Sequence, residues 1–537
     1  MQRIFTFCLL ACLFVASTTL TAQETRFVDP IFDNVTAELN VTYAQNISIL
    51  TGEPALTDIQ MDVYQPDGDD EGILRPVVIA FHTGNFLPAY LNGGAYGTRL
   101  DSANVTLLKG MAQRGYVAIS ASYRQGWLPL AEDQTTRTET LLKAAYRGGQ
   151  DAHSLVRYLK GTAADENPYL IDTTRMVMMG FGTGGYVALT HAFLDRQEEI
   201  AANLQFYDEE GNVLVNPALD GDPFGLEQAP LNVPTNVGHT SDVAMTVNIG
   251  GALGDPNWIE GADREPMVLG YHSFTDPFAP FYTGTVIVPT TGNTVVDGVA
   301  GTSLVIERAE SFGLNDALAD ANAPMLPEIY PALSSVLNQI NAAYKAQTVM
   351  SPVNMTGDEF PLSRDNMFPN VYSRLIAGPY NWFDRPTLEF ILSQFPMEIR
   401  PDINAIIDGE EFSNPNWMDR ALAEPSLDTM IAHMIPRFYI GMDLANPISS
   451  TVDLVSNEDI GFQVAPNPAS SYVLVNTEEA YDIREAILYD LSGRAVSNYK
   501  NINTNTLRIE RGNLPRGQYV LKIRVDQGVS SRMILFE

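Results

Sequence analysis

Met176-Val177-Met178-Met179-Gly180-Phe181-Gly182-Thr183-Gly184-Gly185-Tyr186 is the stretch that decides the fold of this chain. It begins with an uninterrupted apolar run, the mark of a strand buried on both faces. Glycines then crowd the next positions. A helical spacing of apolar residues follows at once in Val187, Ala188, Leu189, Ala192, Phe193 and Leu194. The stretch therefore predicts a strand, a tight turn and a helix. Gly180 and Gly184 place small residues two before and two after the turn residue, where strand and helix backbones would nearly touch. The turn residue itself is Gly182, which has no side chain. A P-loop would need Gly-Lys-Ser/Thr, and there is no lysine here. Gly180, Gly182 and Gly185 do fit G-x-G-x-x-G, but their place deep in the chain argues against a dinucleotide site.

This frame is that of a nucleophile elbow, G-x-S-x-G, in which a serine is lifted above the sheet. Gly182 stands in the serine's place. A register shifted by one, with Thr183 as nucleophile, would put Phe181 two before it, where its ring collides with the helix. The backbone supplies a reason for glycine. The elbow conformation costs a serine on the order of 1–3 kcal/mol, and glycine adopts it nearly free.

The chain has 537 residues, more than one ordinary domain. Apolar residues make up 45% and charged residues 18%, a globular composition with ample core. Residues 1–22, with Arg3 and the apolar run Ile4 to Ala16, read as a cleavable signal peptide. Both cysteines, Cys8 and Cys12, fall inside it, so no disulfide or thiolate metal site is expected in the mature chain. No other run is long and apolar enough for a transmembrane segment. The formal net charge of -33 excludes nucleic acid as a partner and disfavours anionic lipid headgroups. Asp67-Gly68-Asp69-Asp70-Glu71 reads as a solvated turn rather than a calcium loop, because no bidentate glutamate follows at the required spacing. No cofactor motif is present, and no histidine pair has metal-ligand spacing.

Upstream, residues 25 to 50 read as polar and extended, and Ile59 to Tyr64 alternates like a half-buried strand. Arg75-Pro76-Val77-Val78-Ile79-Ala80-Phe81 is a buried strand that runs into His82-Thr83-Gly84-Asn85. Gly115 to Arg124 reads as the next strand, ending in Tyr123-Arg124. Gly149 to Leu159 reads as a helix of the pattern D-x-x-x-A-x-R-x-L, and Ile171-Asp172-Thr173-Thr174-Arg175 leads into the turn at Gly182. In this order the motifs resemble the carboxylesterase and lipase family with the α/β-hydrolase fold, over roughly Ile59 to Gly313 with an insertion near Asn203 to His239. The resemblance implies a mostly parallel sheet with helices on both faces. It also implies that the His82 loop supplies half of an oxyanion hole. The oxyanion-hole region is then Thr83, Gly84 and Thr183. Thr83 and Asn85 replace glycines of the family's loop.

Val243 to Ile249 reads as a further strand. Pro266 to Pro277 resembles the family's turn in which an aspartate orients the catalytic histidine, and Asp276 falls in that slot. The resemblance places the histidine after a last strand at Leu304-Val305-Ile306. The residues there are Glu307-Arg308-Ala309-Glu310-Ser311, so the slot is empty. His433 falls in a helix, Leu427 to Ile435, with a packing role expected. His153 and His191 are expected on helices among polar neighbours, and His239 in a loop. From about 318 to 425 the chain reads as a helical extension rich in aromatics, including Pro331 to Ala346 as a helix, Tyr380-Asn381-Trp382-Phe383 and Trp417. It could lid a pocket and stack on sugars or lipids, or simply fill core.

After residue 450 the chain changes to short alternating strands separated by turns, as in a small β-sandwich. Three motifs stand in fixed order: Pro466-Asn467-Pro468, Gly493 within Asp490-Leu491-Ser492-Gly493-Arg494, and Gly517-Gln518-Tyr519. They resemble the type A C-terminal sorting domain of the type IX secretion system. The resemblance implies that secretion machinery as partner, and a protein secreted or held at the cell surface. Domains are thus expected at 1–22, 23–450 and 451–537.

Two functional expectations follow. In one, the protein has lost its Ser-His-Asp chemistry and binds a small-molecule, glycan or lipid ligand. In the other, it is an active ester hydrolase whose nucleophile is a displaced serine, Ser122 or Ser273, with His82 or His272 as base.

Overall fold

The computed structural model describes residues 25–537 except 51, 277, 289, 323–331, 351–358, 371–377, 379–381, 414–419, 448–456, 458–459, 491–494 and 526–527. The expected signal peptide lies outside the described residues, as do Pro277, Tyr380, Asn381, Trp417 and Gly493. Two compact units divide between Ile448 and Ser449.

The first unit is built on strands β1 (Val35–Ser48), β2 (Ala55–Pro66), β3 (Arg75–Phe81), β4 (Val117–Ala121), β5 (Ile171–Phe181), β6 (Met245–Ile249), β7 (Ala252–Leu253), β8 (Met267–Ser273), β9 (Thr283–Ile287), β10 (Thr294–Gly301), β11 (Thr348–Val349), β12 (Phe360–Pro361) and β13 (Met367–Asn370). Its principal helices are α1 (Ser102–Ala112), α2 (Gln134–Ala164), α3 (Thr183–Phe193), α4 (Thr302–Ser311), α5 (Ala332–Lys345), α6 (Arg385–Ser393), α7 (Ile403–Ser413) and α8 (Arg420–Gly441).

The main sheet has eight strands in the order β1-β2-β4-β3-β5-β6-β8-β13. β1 and β2 join antiparallel at one edge, and every pairing from β4 to β13 is parallel. Strand residues alternate between two cores, as the pleat requires. Val77, Ile79 and Phe81 face a core shared with α2, α3 and α4, whereas Val78 and Ala80 face one shared with α1 and α8. Because both faces are covered, β3 and β4 are buried at every residue. β3 lies between β4 and β5, so the chain leaves it in opposite directions. In an open sheet the crevice at such a reversal, beyond the carboxyl ends of the strands, is where a ligand site forms.

Two expectations are corrected here. Leu304-Val305-Ile306 is not a strand but lies inside α4, its apolar residues packing that helix onto the sheet at helical spacing. The last strand is instead β13, which pairs parallel with β8 from Met367–Gly270 to Asn370–Ser273. It lies within the segment expected to be a helical extension, and its burial on both faces explains its composition. A histidine placed by the fold would follow Asn370, where the sequence reads Val371-Tyr372-Ser373-Arg374-Leu375-Ile376-Ala377, again without one.

The second unit contains two antiparallel sheets. One has the order β14 (Gln463–Ala465), β15 (Tyr472–Asn476), β18 (Thr506–Glu510). The other has the order β17 (Ala495–Thr504), β16 (Ile483–Asp490), β19 (Gly517–Val525), β20 (Gly528–Phe536). Alternate residues such as Val473, Val475, Leu488, Leu521 and Ile523 form its core. Asn467 ties the β14 end to β20: its Oδ1 accepts from Leu535 N at 2.8 Å and its Nδ2 donates to Met533 O at 2.8 Å. Tyr519 donates its hydroxyl to Pro515 O at 2.7 Å. No helix of the described residues is long and apolar enough to cross a membrane.

Candidate functional site

β5 ends at Phe181, and Gly182 turns the chain with φ 51° and ψ −115° before α3 begins at Thr183. That region of backbone space is costly for a residue with a Cβ. Its N–H donates to Ile249 O at 2.8 Å, and its carbonyl accepts from Gly185 N at 2.9 Å. The neighbouring glycines are required by close approach. A Cβ on Gly180 would lie 1.9 Å from Gly184 O, one on Gly184 2.2 Å from Phe81 O, and one on Gly185 2.3 Å from Asn248 Oδ1. Strands β3 and β5 therefore meet α3 at backbone distance, and β6 meets it through the Asn248 side chain.

The loop after β3 carries three consecutive residues at positive φ: Gly84 (122°), Asn85 (58°) and Phe86 (52°). A Cβ on Gly84 would lie 2.4 Å from Gly97 Cα. Asn92 holds this loop shut, its Nδ2 donating to Tyr96 O at 2.7 Å and to Leu87 O at 3.2 Å. His82 does not face the cleft. Its Nδ1 donates to Thr83 O at 2.6 Å, its ring lies 4.8 Å from that of Tyr123, and burial pushes its pKa down to about 4. Tyr123 donates to His82 O at 3.0 Å and lies 3.1 Å from Thr183 Oγ1, joining the two halves of the expected oxyanion-hole region. Tyr123 is placed in turn by its neighbour. The Arg124 guanidinium and backbone N–H both bond Asp151 of α2, at 2.8 and 2.7 Å. The sequence held both motifs but not their pairing.

Asp276 lies buried in the turn after β8. Its Oδ1 accepts from the backbone N–H of Phe278 at 2.7 Å and of Ala279 at 3.2 Å. Its Oδ2 lies 3.4 Å from His272 Nε2. His272 Nδ1 is 2.7 Å from Thr302 Oγ1, which also accepts from Asn248 Nδ2 at 2.8 Å. The carboxylate in the acid slot thus faces a histidine of its own strand, fully buried in the sheet.

A cleft of ≈ 490 Å³ opens between these walls, with Thr83, Asn85, Gly182, Thr183, Tyr186 and Asp276 among its lining residues. Trp127, Leu141, Gly250, Phe278, Ala279, Val286 and Ile287 complete the lining. Tyr186 and Leu141 were not singled out from sequence. Tyr186 sits one helical turn after Gly182, a spacing that could have signalled it, whereas Leu141 comes from a distant helix and had no local signal. Neither displaced-serine candidate lines the cleft. Ser122 Oγ accepts from Arg99 Nη1 at 3.3 Å, and Ser273 Oγ is buried 3.0 Å from Thr275 Oγ1.

The other histidines are remote. His433 is buried on the opposite face of the sheet, with Nδ1 2.7 Å from the Tyr271 hydroxyl; Tyr271 and His272 alternate across β8. His153 and His191 lie on α2 and α3 with polar partners, as expected. They are buried with ring centroids 4.3 Å apart, because their helix faces turn inward between α2 and α3. His153 Nδ1 lies 2.8 Å from Ser241 Oγ, and His191 Nε2 donates to Ser241 O at 2.9 Å. Burial lowers both pKa values, that of His191 to about 3. His239 lies in an exposed loop. Within the acidic turn, Asp69 bonds Arg26 and Arg75 at 2.5 and 2.8 Å. Trp382 is buried in the core beside α1 and α8, and Phe383 in a small cluster with Ala95, Leu388 and Ile406; neither lines the cleft.

The mostly parallel strand order and the glycine turn between β5 and α3 are those of the α/β-hydrolase fold. Residues 61–223 match the family model described as BD-FAE, an esterase-like α/β-hydrolase family, and residues 463–537 match that of the secretion system C-terminal sorting domain. Each match covers less than half of the chain, and the C-terminal one marks it for export by the type IX secretion system, to the cell surface or beyond. Among solved structures it is similar to esterase B from Lactobacillus Rhamnosis, at 14% identity over 51% of this chain and 75% of that one, TM-score 0.26. It is also similar to the esterase Est2 of the planctomycete Thermogutta terrifontis, at 16% identity over 46% and 73%, TM-score 0.26. No curated protein matches.

Proposed function

We propose that the exported domain is a ligand-binding protein on an esterase-like frame, without working Ser-His-Asp chemistry. One observation carries this reading: no serine, cysteine or histidine is among the described residues that line the cleft around Gly182. Acyl transfer by a nucleophile needs that nucleophile within hydrogen-bond reach of a base. Loss of triad members lowers rates by orders of magnitude, down to what binding and the oxyanion hole alone supply. The remaining polar groups of the cleft, on Thr83, Asn85, Thr183, Tyr186 and Asp276, suit hydrogen bonding to a bound ligand.

The test is hydrolysis of p-nitrophenyl acetate and butyrate by the full mature chain, beside labelling with a fluorophosphonate followed by mass spectrometry. The expected result is no turnover above buffer and no adduct. Turnover abolished by a phosphonate adduct on a serine would overturn the reading in favour of an active hydrolase with a displaced nucleophile.

A further inference from the structure

On the face of the sheet covered by α1 and α8 a recess of ≈ 560 Å³ opens to solvent. Ser102, Thr106 and Lys109 line it from one face of α1, where residues three and four apart come side by side. Trp382, Asp384 and Thr387 line it from the entry to α6, and Arg420 from the first residue of α8. None of these residues lines the cleft at Gly182. The recess has room for a molecule the size of a single sugar ring.

Its polar groups fall into two sets. One set holds the walls together. The Asp384 N–H donates to Ser102 Oγ at 2.9 Å, which ties the entry of α6 to α1. Asp384 Oδ2 caps α6, accepting from Thr387 N at 3.0 Å and from Thr387 Oγ1 at 2.9 Å. The second set is left over, and it consists mostly of donors. Trp382 is only 5% exposed, yet its indole N–H has no acceptor among the described residues and is not sealed off from solvent. Indoles buried to this degree normally find a partner. Lys109 makes no ion pair among the described residues, although the chain carries 65 acidic residues against 32 basic ones. Its ammonium lies 5.9 Å over the Tyr64 ring, which occupies none of its N–H bonds. Arg420 gives Nε to Glu424 Oε1 at 2.8 Å and keeps both terminal nitrogens. Asp384 Oδ1 remains as an acceptor, since only Oδ2 serves the cap.

We propose that this recess binds a hydroxylated carboxylate of the size of a uronic acid, its carboxylate held by Lys109 and Arg420, the Trp382 N–H donating to one of its oxygens and one of its hydroxyls donating to Asp384 Oδ1. Bonds between a carboxylate and a cationic donor are the stronger kind, so the charge sets affinity. The Asp384 carboxylate sets the choice among anions. A phosphate or sulfate would bring its charge against Asp384 without a hydroxyl to offer it, whereas a hydroxy acid keeps its charge at one end and its donors at the other. The proposal uses no residue of the Gly182 cleft, so it stands or falls apart from the reading above.

The experiment is calorimetric titration of the full mature chain with D-glucuronate, D-glucose, acetate and inorganic phosphate, followed in parallel by tryptophan fluorescence. Glucose has the hydroxyls without the charge, and acetate the charge without the hydroxyls. Glucuronate is expected to bind about tenfold more tightly than any of the other three, and added salt should weaken it. Lys109→Gln should cost glucuronate about tenfold and leave glucose unchanged. Lys109 is exposed, so this variant is expected to fold. Trp382→Phe should weaken glucuronate and remove the fluorescence response, and Arg420→Gln serves beside Lys109→Gln if Trp382→Phe does not fold. Glucose binding as tightly as glucuronate, or phosphate doing so, would overturn the proposal. So would glucuronate affinity that Lys109→Gln leaves untouched, or the absence of binding by all four probes.

Discussion

The two walls of the cleft keep their fold by different means. On the elbow wall, β3, β5 and α3 approach so closely that backbone atoms exclude even a Cβ at Gly180 and Gly184, and the Asn248 side chain of β6 does so at Gly185. On the far wall, β8 and β13 keep their places in the sheet. Between them, however, the chain inserts the β9–β10 hairpin, α4, α5 and the short β11–β12 pair. One wall is set by backbone contact, which tolerates no side chain. The other is set by side-chain packing, which tolerates insertion. The turn of the elbow wall is satisfied by Gly182, which has no side chain, and the far wall keeps its strand pairing around the inserted elements.

The largest effect should come from testing that difference directly. Gly184→Ala would press a methyl against Phe81 O at 2.2 Å, where only backbone could yield. We expect a loss of about 3 kcal/mol or more, or no soluble protein, read by thermal unfolding. Gly409→Ala, in α7, meets nothing within 4 Å. It should instead gain roughly 0.5–1 kcal/mol from helix propensity. A Gly184→Ala protein that melts with the parent would break the comparison, because the close approach would then not be what holds the elbow wall.

Gly182→Ser is the next largest. It restores the elbow serine at φ 51° and ψ −115°. The expected cost is about 1–3 kcal/mol of stability. No hydrolysis of p-nitrophenyl acetate should appear, because a serine without a base in reach remains a weak nucleophile. Turnover in this variant alone would show that the far wall does present a base to Gly182, and would end the contrast between the walls.

The elbow wall was legible in the sequence because its constraints are local. The apolar run, the glycine spacing and the helical pattern sit within a few residues of one another, and each has a steric cause. The loop at Thr83 and Gly84 was legible for the same reason. The far wall was not. Leu304-Val305-Ile306 reads equally as a buried strand or as one face of a helix, and periodicity cannot separate the two over so short a run. β13 spans only Met367–Asn370 and includes Pro369, so it carries little strand signal of its own.

An effect that is small near neutral pH concerns the helix that anchors the elbow wall. His153 on α2 and His191 on α3 are stacked and buried, and burial lowers both of their pKa values. A group whose folded pKa is depressed binds its proton more readily in the unfolded chain. Its contribution is therefore present above the unfolded value near ~6.5 and is lost as pH falls through the folded value. For His191 that window runs from ~6.5 down to about 3. His191→Gln keeps an N–H for Ser241 O but has no proton to gain. Against the parent, its stability should fall less steeply with acidification, by up to ~1.4 kcal/mol per pH unit within the window. Denaturant melts of both proteins at several pH values between neutral and mildly acid would read the difference in slope, in which groups common to the two cancel. Parallel slopes would mean that His191 is not held neutral. The seam between α2 and α3 would then be looser than the backbone contacts beside it, and the elbow wall less uniform than its glycines suggest.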